Sequence, residues 1–196
     1  MPISPADAAP VIVMRTQQDI AELELAELEA ALDAKAFHAR QVCRWMYRRG
    51  VTDFSEMTDL SLALREQLAA RFVISTPAVR HTDRSSDGTV KLLLELTDGK
   101  RIETVFIPDT PGMTFCVSTQ VGCAMRCGFC LTGKMRLTRN LTAGEIVGQV
   151  RVLAHTLGLA EKRFNIVLMG MGEPLHNYDA TMKALRILTA RAGLGV

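Results

Sequence analysis

Aromatic residues supply only 5% of this 196-residue chain, with one Trp and two Tyr. Any core must therefore be assembled mainly from Leu, Val, Ile, Met and Ala. Charge of one sign is equally scarce. The 23 Lys and Arg against 21 Asp and Glu leave a formal +2, too little to name a nucleic-acid partner without local clustering. No apolar run approaches the ~20 residues that cross a bilayer. No basic residue precedes the short apolar stretch near the N-terminus, so a secretory signal is not expected. Internal repeats and low-complexity tracts are missing too. The expectation is a cytoplasmic globular protein with no membrane partner. In that compartment the five cysteines are expected as ligands or reactive thiols rather than disulfides.

The pattern divides the chain into four parts. Residues 1–16 are expected as a flexible tail and residues 17–77 as a small helical domain. Helical periodicity covers 20–32, then 36–49, closed by Gly50, and then 60–72, where Leu60, Leu64 and Leu68 share a face. From Val79 the period changes. Asp87-Gly88 and Asp98-Gly99 are hairpin signals around a β-leaning run over 89–96, and a further run over 101–107 stops at Pro108. Residues 78–111 are accordingly expected as an antiparallel β linker. Residues 112–196 then alternate strand and helix. A strand over 114–118 precedes a cysteine-bearing loop. Thr142 and Glu145 form a capping box opening a helix that buries Ile146, Val150, Leu153 and Leu157. An apolar strand over 165–169 has the character of a parallel strand covered on both faces, and a helix over 179–189 follows. This β-α-β-α order predicts an α/β fold, the start of a parallel barrel or open sheet.

Three of the cysteines fall within eight residues. Cys123, Cys127 and Cys130 form a C-x3-C-x2-C run directly after a predicted strand, at the carboxyl end where α/β folds place ligands. Three thiolates can bind three corners of a cubane cluster and leave one iron without a protein ligand, unlike the four-cysteine clusters that only transfer electrons. That open iron can take the amino and carboxylate groups of S-adenosylmethionine. A zinc site is the competing reading; zinc prefers four ligands, and Cys116 or a histidine could complete it.

The flanks of this run carry a resemblance. Phe129 stands before the last cysteine. Phe115-Cys-Val-Ser-Thr-Gln-Val-Gly-Cys123, Thr132-Gly-Lys, the stretch from Arg139 to Gln149, and Met169-Gly-Met-Gly-Glu-Pro-Leu175 together resemble the radical-SAM 23S rRNA adenine-C2 methyltransferases, which also act on certain tRNAs. The resemblance implies the N-terminal part of a radical-SAM partial (β/α) barrel, preceded by a small helical RNA-binding domain and a β-hairpin linker. It implies a [4Fe-4S] cluster, S-adenosylmethionine, a reducing electron donor such as flavodoxin, and 23S rRNA and tRNA as substrates. The targets would be an adenine of the peptidyl-transferase centre and the adenine 3′ of the anticodon. Carbon 2 of adenine lies between two ring nitrogens and is too electron-poor to attack a methyl sulfonium. The family is understood to methylate its own cysteine first and to activate that methyl group with a radical.

The roles implied by the resemblance fall on particular residues. Cys123, Cys127 and Cys130 match the cluster ligands, with Phe129 at the cofactor. Gly172 and Glu173 match the contact to the cofactor's amino group, Glu103 the proton acceptor, and Cys116 the cysteine that releases the protein–RNA adduct. Each also has a plainer reading: a turn leaving a strand for 170–174, a solvent-facing carboxylate for Glu103, a buried inert thiol for Cys116. Cys43 is expected as core. Arg40, Arg44 and Arg48 form a basic helical stripe, and Lys134, Arg136 and Arg139 a second basic cluster, either RNA-facing or simply solvated. Leu131 and Arg136 stand where the pattern has small residues. No cysteine follows Cys130, so the methyl-carrying cysteine of the family has no counterpart. This chain alone is expected to be a fragment, poorly soluble and unable to complete methylation. A related adenine-C8 rRNA methyltransferase, or a metal-stabilised RNA-binding module without catalysis, is the alternative.

Overall fold

The computed structural model describes residues 17–32, 35–108 and 112–194; the tail expected over 1–16 lies outside them. The helical part begins with strand β1 (Gln18–Asp19), a 3-10 turn over Ile20–Glu22 and helix α1 (Leu25–Ala31). The single helix expected over 20–32 is thus divided. The Asp19 carboxylate accepts the Ala21 amide at 3.0 Å to start the turn, and Glu24 restarts the chain in a capping box with Glu27. A second cap inside a periodic stretch overrides the periodicity. Helix α2 (Ala36–Cys43) runs into a π-helical turn over Arg44–Arg48, and this wider turn brings the consecutive Trp45, Met46 and Tyr47 into the core. Helix α3 (Leu62–Arg71) is capped by Ser61 and ends in β2 (Phe72–Val73), which pairs in parallel with β1. That ribbon pairs residues more than 50 apart in sequence, which no local pattern announces.

Strands β3 (Ala78–Arg84), β4 (Val90–Glu95) and β5 (Arg101–Ile107) follow. Gly88 and Gly99, at φ +85° and +77°, make the two turns between them. Next come β6 (Thr114–Cys116), β7 (Gln120–Val121), α4 (Leu131–Lys134), β8 (Arg139–Asn140), α5 (Ala143–Thr156), β9 (Asn165–Val167) and α6 (Tyr178–Thr189). The main sheet has the order β3-β4-β5-β6-β9, antiparallel as far as β6 and parallel between β6 and β9. The sheet therefore runs across residue 112 without a break.

Alternation along these strands sorts their side chains to two faces. Leu92, Leu94, Ile102 and Phe115 are fully buried on one face, where Phe115 stacks on Phe164 at 4.1 Å. Each such side chain contributes ~1.5–3 kcal/mol of burial. Helix α5 packs against this layer and against α6. Its capping box forms as expected, and Ile146, Val150 and Leu153 are buried while Leu157, at the C-cap, is only half-buried. The opposite face is uncovered among the described residues. Lys91, Leu93, Glu103, Val105, Cys116 and Val167 all remain partly exposed there. The strand expected to be covered on both faces is covered on one.

Candidate active site

The open face carries both implied catalytic side chains. Val105 pairs with Cys116 across β5 and β6, and Glu103 lies two residues back along β5, so the two point to the same side. The Thr104 hydroxyl donates to the Cys116 carbonyl at 2.8 Å and holds the two strands in register. From β4, Lys91 Nζ lies 3.0 Å from Glu103 Oε1 and 3.5 Å from Asp83 Oδ2. Glu103 is accordingly an ion-paired carboxylate on the sheet rather than a lone solvated one. Burial pushes the Cys116 thiol above its ordinary range, opposed by the Met169 backbone amide. The proton stays on sulfur until a base removes it.

The loop after β9 is laced onto the segment after β6. The Gly170 amide donates to the Val117 carbonyl at 3.1 Å, and the Thr119 amide to the Met171 carbonyl at 2.8 Å. Ser118, fully buried, joins three elements. Its hydroxyl donates to the Glu103 carbonyl at 2.6 Å and accepts the Met171 amide at 2.9 Å, while its backbone amide and carbonyl are held by the Gln149 side chain of α5. Gly172 sits at φ +102°, and a Cβ there would lie 2.6 Å from the Gln120 Cβ. The Gln120 side chain accepts the Glu173 amide at 2.9 Å and donates to Asn140 at 2.8 Å. Glu173 Oε1 caps the next turn through the Leu175 amide at 3.0 Å. Its other oxygen makes no hydrogen bond within the described residues. Gly172 and Glu173 are therefore held in place by the same segment that carries Cys116.

The cysteine loop hangs from the end of this layer. Cys123 is buried, Cys130 half-buried and Cys127 exposed, and all three thiols are free. Backbone amides face two of the sulfurs. The Met125 amide lies 3.4 Å from Cys123 Sγ, and the Gly133 and Thr132 amides hold the Cys130 thiol below its ordinary range. Free thiols faced by amides are the donor set a cluster takes, with hydrogen bonds to its sulfurs. The three sulfurs are not gathered, however. Among the described residues no three His, Cys, Asp or Glu side chains converge as a metal site. Ligand sets of this kind are commonly drawn together by the metal itself, and residues 124–129 are exposed. Phe129, expected beside the cofactor, is 95% exposed. Arg126 and Arg136 adopt φ +51° and +58°. Arg136 stands where a small residue was expected, and the positive φ is the reason glycine suits that place. Opposite it, a Cβ on Gly122 would collide with the Arg136 carbonyl.

The second basic cluster is not free as a unit. Arg139 binds both Glu145 oxygens, at 2.7 and 2.8 Å, and Asp98 at 2.8 Å, which ties α5 to the Asp98-Gly99 turn. Cys43 is buried as expected, and burial pushes its thiol up to about 12. Sequence reasoning passed over Lys91, Ser118, Gln120 and Gln149. Ser118, Gln120 and Gln149 lie inside the quoted motifs, but only the fold shows what they hold.

Two stretches of the chain match known families. Residues 18–74 match the ribosomal RNA large subunit methyltransferase N-terminal domain, and residues 117–196 match the radical SAM superfamily. The dual-specificity RNA methyltransferase RlmN of Sphingopyxis alaskensis is 46% identical over 204 residues, covering 86% of this chain and 49% of that protein. Dual-specificity RNA methyltransferase RlmN 2 of Myxococcus xanthus is 47% identical over 186 residues, covering 89% and 49%. The crystal structure of a radical SAM methyltransferase from Sphaerobacter thermophilus superposes with a TM-score of 0.82 at 44% identity, covering 91% of this chain and 54% of that one. The fold is thus the α/β start of a radical-SAM partial barrel with a helical part and β-hairpins ahead of it. The chain spans about half the length of the curated relatives it matches.

Proposed function

We propose that this chain, which belongs to the dual-specificity RNA methyltransferases of the radical SAM superfamily, supplies the cluster- and cofactor-binding part of an enzyme that methylates carbon 2 of adenine in RNA. One observation supports this most. Glu103 and Cys116 share the open sheet face, beside the Gly172-Glu173 loop and ahead of the three-thiol loop. In this reading Cys123, Cys127 and Cys130 hold a [4Fe-4S] cluster, which when bound supplies the electron that cleaves S-adenosylmethionine. Glu173 holds the cofactor's amino group with its uncommitted oxygen, Gly172 offers its backbone there while packing closely on Gln120, and Phe129 flanks it. Glu103 accepts the proton that the methylated base must lose, and Lys91 keeps its carboxylate aimed across the face. The Cys116 thiol gives its proton to a base, and its sulfur attacks the sulfur of the methyl-carrying cysteine. An S–S bond forms as that sulfur's bond to the RNA-linked carbon breaks, and the electron pair of the broken bond stays with the RNA product.

The substrates are 23S rRNA and certain tRNAs, the electron donor a small reductant such as flavodoxin, and the location the cytoplasm. Residues 17–77 serve as the RNA-binding part, 78–111 as linker and 112–196 as the core. No cysteine follows Cys130 in these 196 residues, and the reading assigns the methyl-carrying role to none of the five cysteines present. Anaerobic reconstitution tests the reading. The chain should take up about four irons, and adding S-adenosylmethionine should perturb the cluster spectrum. One zinc and no response would mark a metal-stabilised RNA-binding module instead. In the full-length enzyme, mass spectrometry of the modified base separates 2-methyl- from 8-methyladenine.

A further inference from the structure

The three arginines of the basic stripe do not simply face solvent. Arg40, Arg44 and Arg48 line one side of a groove of about 670 Å³, and Arg191, just past the end of α6, lines it as well. Four guanidinium groups thus come together from segments some 140 residues apart in sequence, and among the described residues no acidic side chain lines the groove. Arg48 is partly committed, to the Ala160 carbonyl at 3.3 Å and Glu161 at 3.9 Å. Arg40, Arg44 and Arg191 enter no ion pair among the described residues, although Lys183 and Arg186 on the adjoining helix are both paired to glutamates of the helical part. Bringing like charges together is unfavourable unless an anion joins them.

We infer that this groove grips the phosphate backbone of the substrate RNA, away from the reacting base. The inference rests on the reading above that RNA is the substrate. Arginine forks bind phosphate oxygens in pairs, and Arg40 and Arg44 are one helical step apart, about 6 Å along the axis, close to the interval between successive phosphates of a strand. Phe37, 49% exposed in the same groove, offers a face for an unpaired base. An acidic protein would engage the charges but has no use for this regular step. The position is distal. Helix α6 begins beyond the Gly172-Glu173 loop and runs 12 residues, roughly 18 Å, before the chain reaches Arg191. An RNA held here must span that length to bring an adenine to the open sheet face, so the enzyme reads a folded RNA and not a short single strand.

The test uses the 196-residue chain and a fluorescein-labelled RNA stem-loop, titrated at several salt concentrations. The variant carrying Arg40→Gln, Arg44→Gln and Arg191→Gln removes three side chains that hold no ion pair among the described residues. A control carrying Arg84→Gln, Lys100→Gln and Arg163→Gln removes the same charge elsewhere. The groove variant should bind at least tenfold more weakly at low salt, and its log–log salt slope should be shallower by about two, at roughly 0.7 per lost phosphate contact. The control should keep most of the wild-type slope. Equal losses in both variants, an unchanged groove variant, or competition by polyglutamate as effective as by unlabelled RNA would each overturn the assignment. Iron content and the S-adenosylmethionine response are read on the same samples. If both are normal and the slope does not move, the groove is wrong and the proposed function stands. If iron is absent and the slope still responds, the groove stands and the radical chemistry falls.

Discussion

The hydroxyl of Ser118 donates to the carbonyl of Glu103 at 2.6 Å, and the same oxygen accepts the amide of Met171. One buried hydroxyl therefore locks the strand of the implied base to the loop of the implied cofactor ligand. Ser118→Ala removes both bonds and leaves a buried amide and carbonyl without this partner. It should cost about 1–3 kcal/mol in urea unfolding and raise several-fold the S-adenosylmethionine needed to perturb a reconstituted cluster. An unchanged cofactor titration would show that the link is structural only.

Gly172 is confined more tightly. Its φ is +102°, and Gln120 atoms stand 2.6–2.8 Å from the place a Cβ would occupy, so alanine meets both backbone strain and a clash. Gly172→Ala should destabilise the chain by roughly 1–3 kcal/mol and abolish the cofactor response. Gly99→Ala is the comparison: its φ is also positive but nothing lies within 4 Å, so stability should fall without loss of the response.

The cysteines separate by role. Ser substitution at Cys123, Cys127 or Cys130 should each remove most of the bound iron in anaerobic reconstitution. The same change at Cys116, on the sheet, or at Cys43, buried in the helical part, should leave about four irons per chain. Equal iron loss from Cys116→Ser would point to a fourth ligand and to a closed site.

His155 links the helical part to α5 and should make stability depend on pH. Its Nε2 lies 3.1 Å from the Tyr47 carbonyl, and a Cβ on Gly50 would press on its ring. Burial holds its imidazole below the ordinary value, with nearby Arg151 acting the same way and the Tyr47 carbonyl opposing. With the folded value below the unfolded one, the unfolded chain takes the proton first. The stabilisation is complete above the unfolded value of about 6.5 and is lost as pH falls through it toward the folded value. The Tm should therefore drop between about pH 7.5 and 5.5, and His155→Gln should flatten that drop. A parallel drop in the variant would assign it to other groups.

Much of the fold was legible from local pattern. The Asp-Gly turns, the Thr142–Glu145 capping box, the α5 and α6 helices and the end of β5 at Pro108 form where the residues indicate, because turn chemistry, caps and proline act over a few residues. The divided first helix and the π turn were not legible. Asp19 and Glu24 act as caps only once the flanking strand pairing sets the direction of the chain.

Composition and spacing by themselves determined that three thiols share one short loop, that the chain mixes a helical part with hairpins and β-α units, and that Asp-Gly pairs turn the hairpins while Thr142 opens α5. Those are properties of neighbours in sequence. Only the tertiary structure decided that Glu103 and Cys116 share a face, that Ser118 binds the two halves of the site together, and that Arg191 joins Arg40 and Arg44 around one groove. Such pairings depend on strand register and helix packing between distant segments, and register is set by how the whole sheet buries one face and leaves the other open.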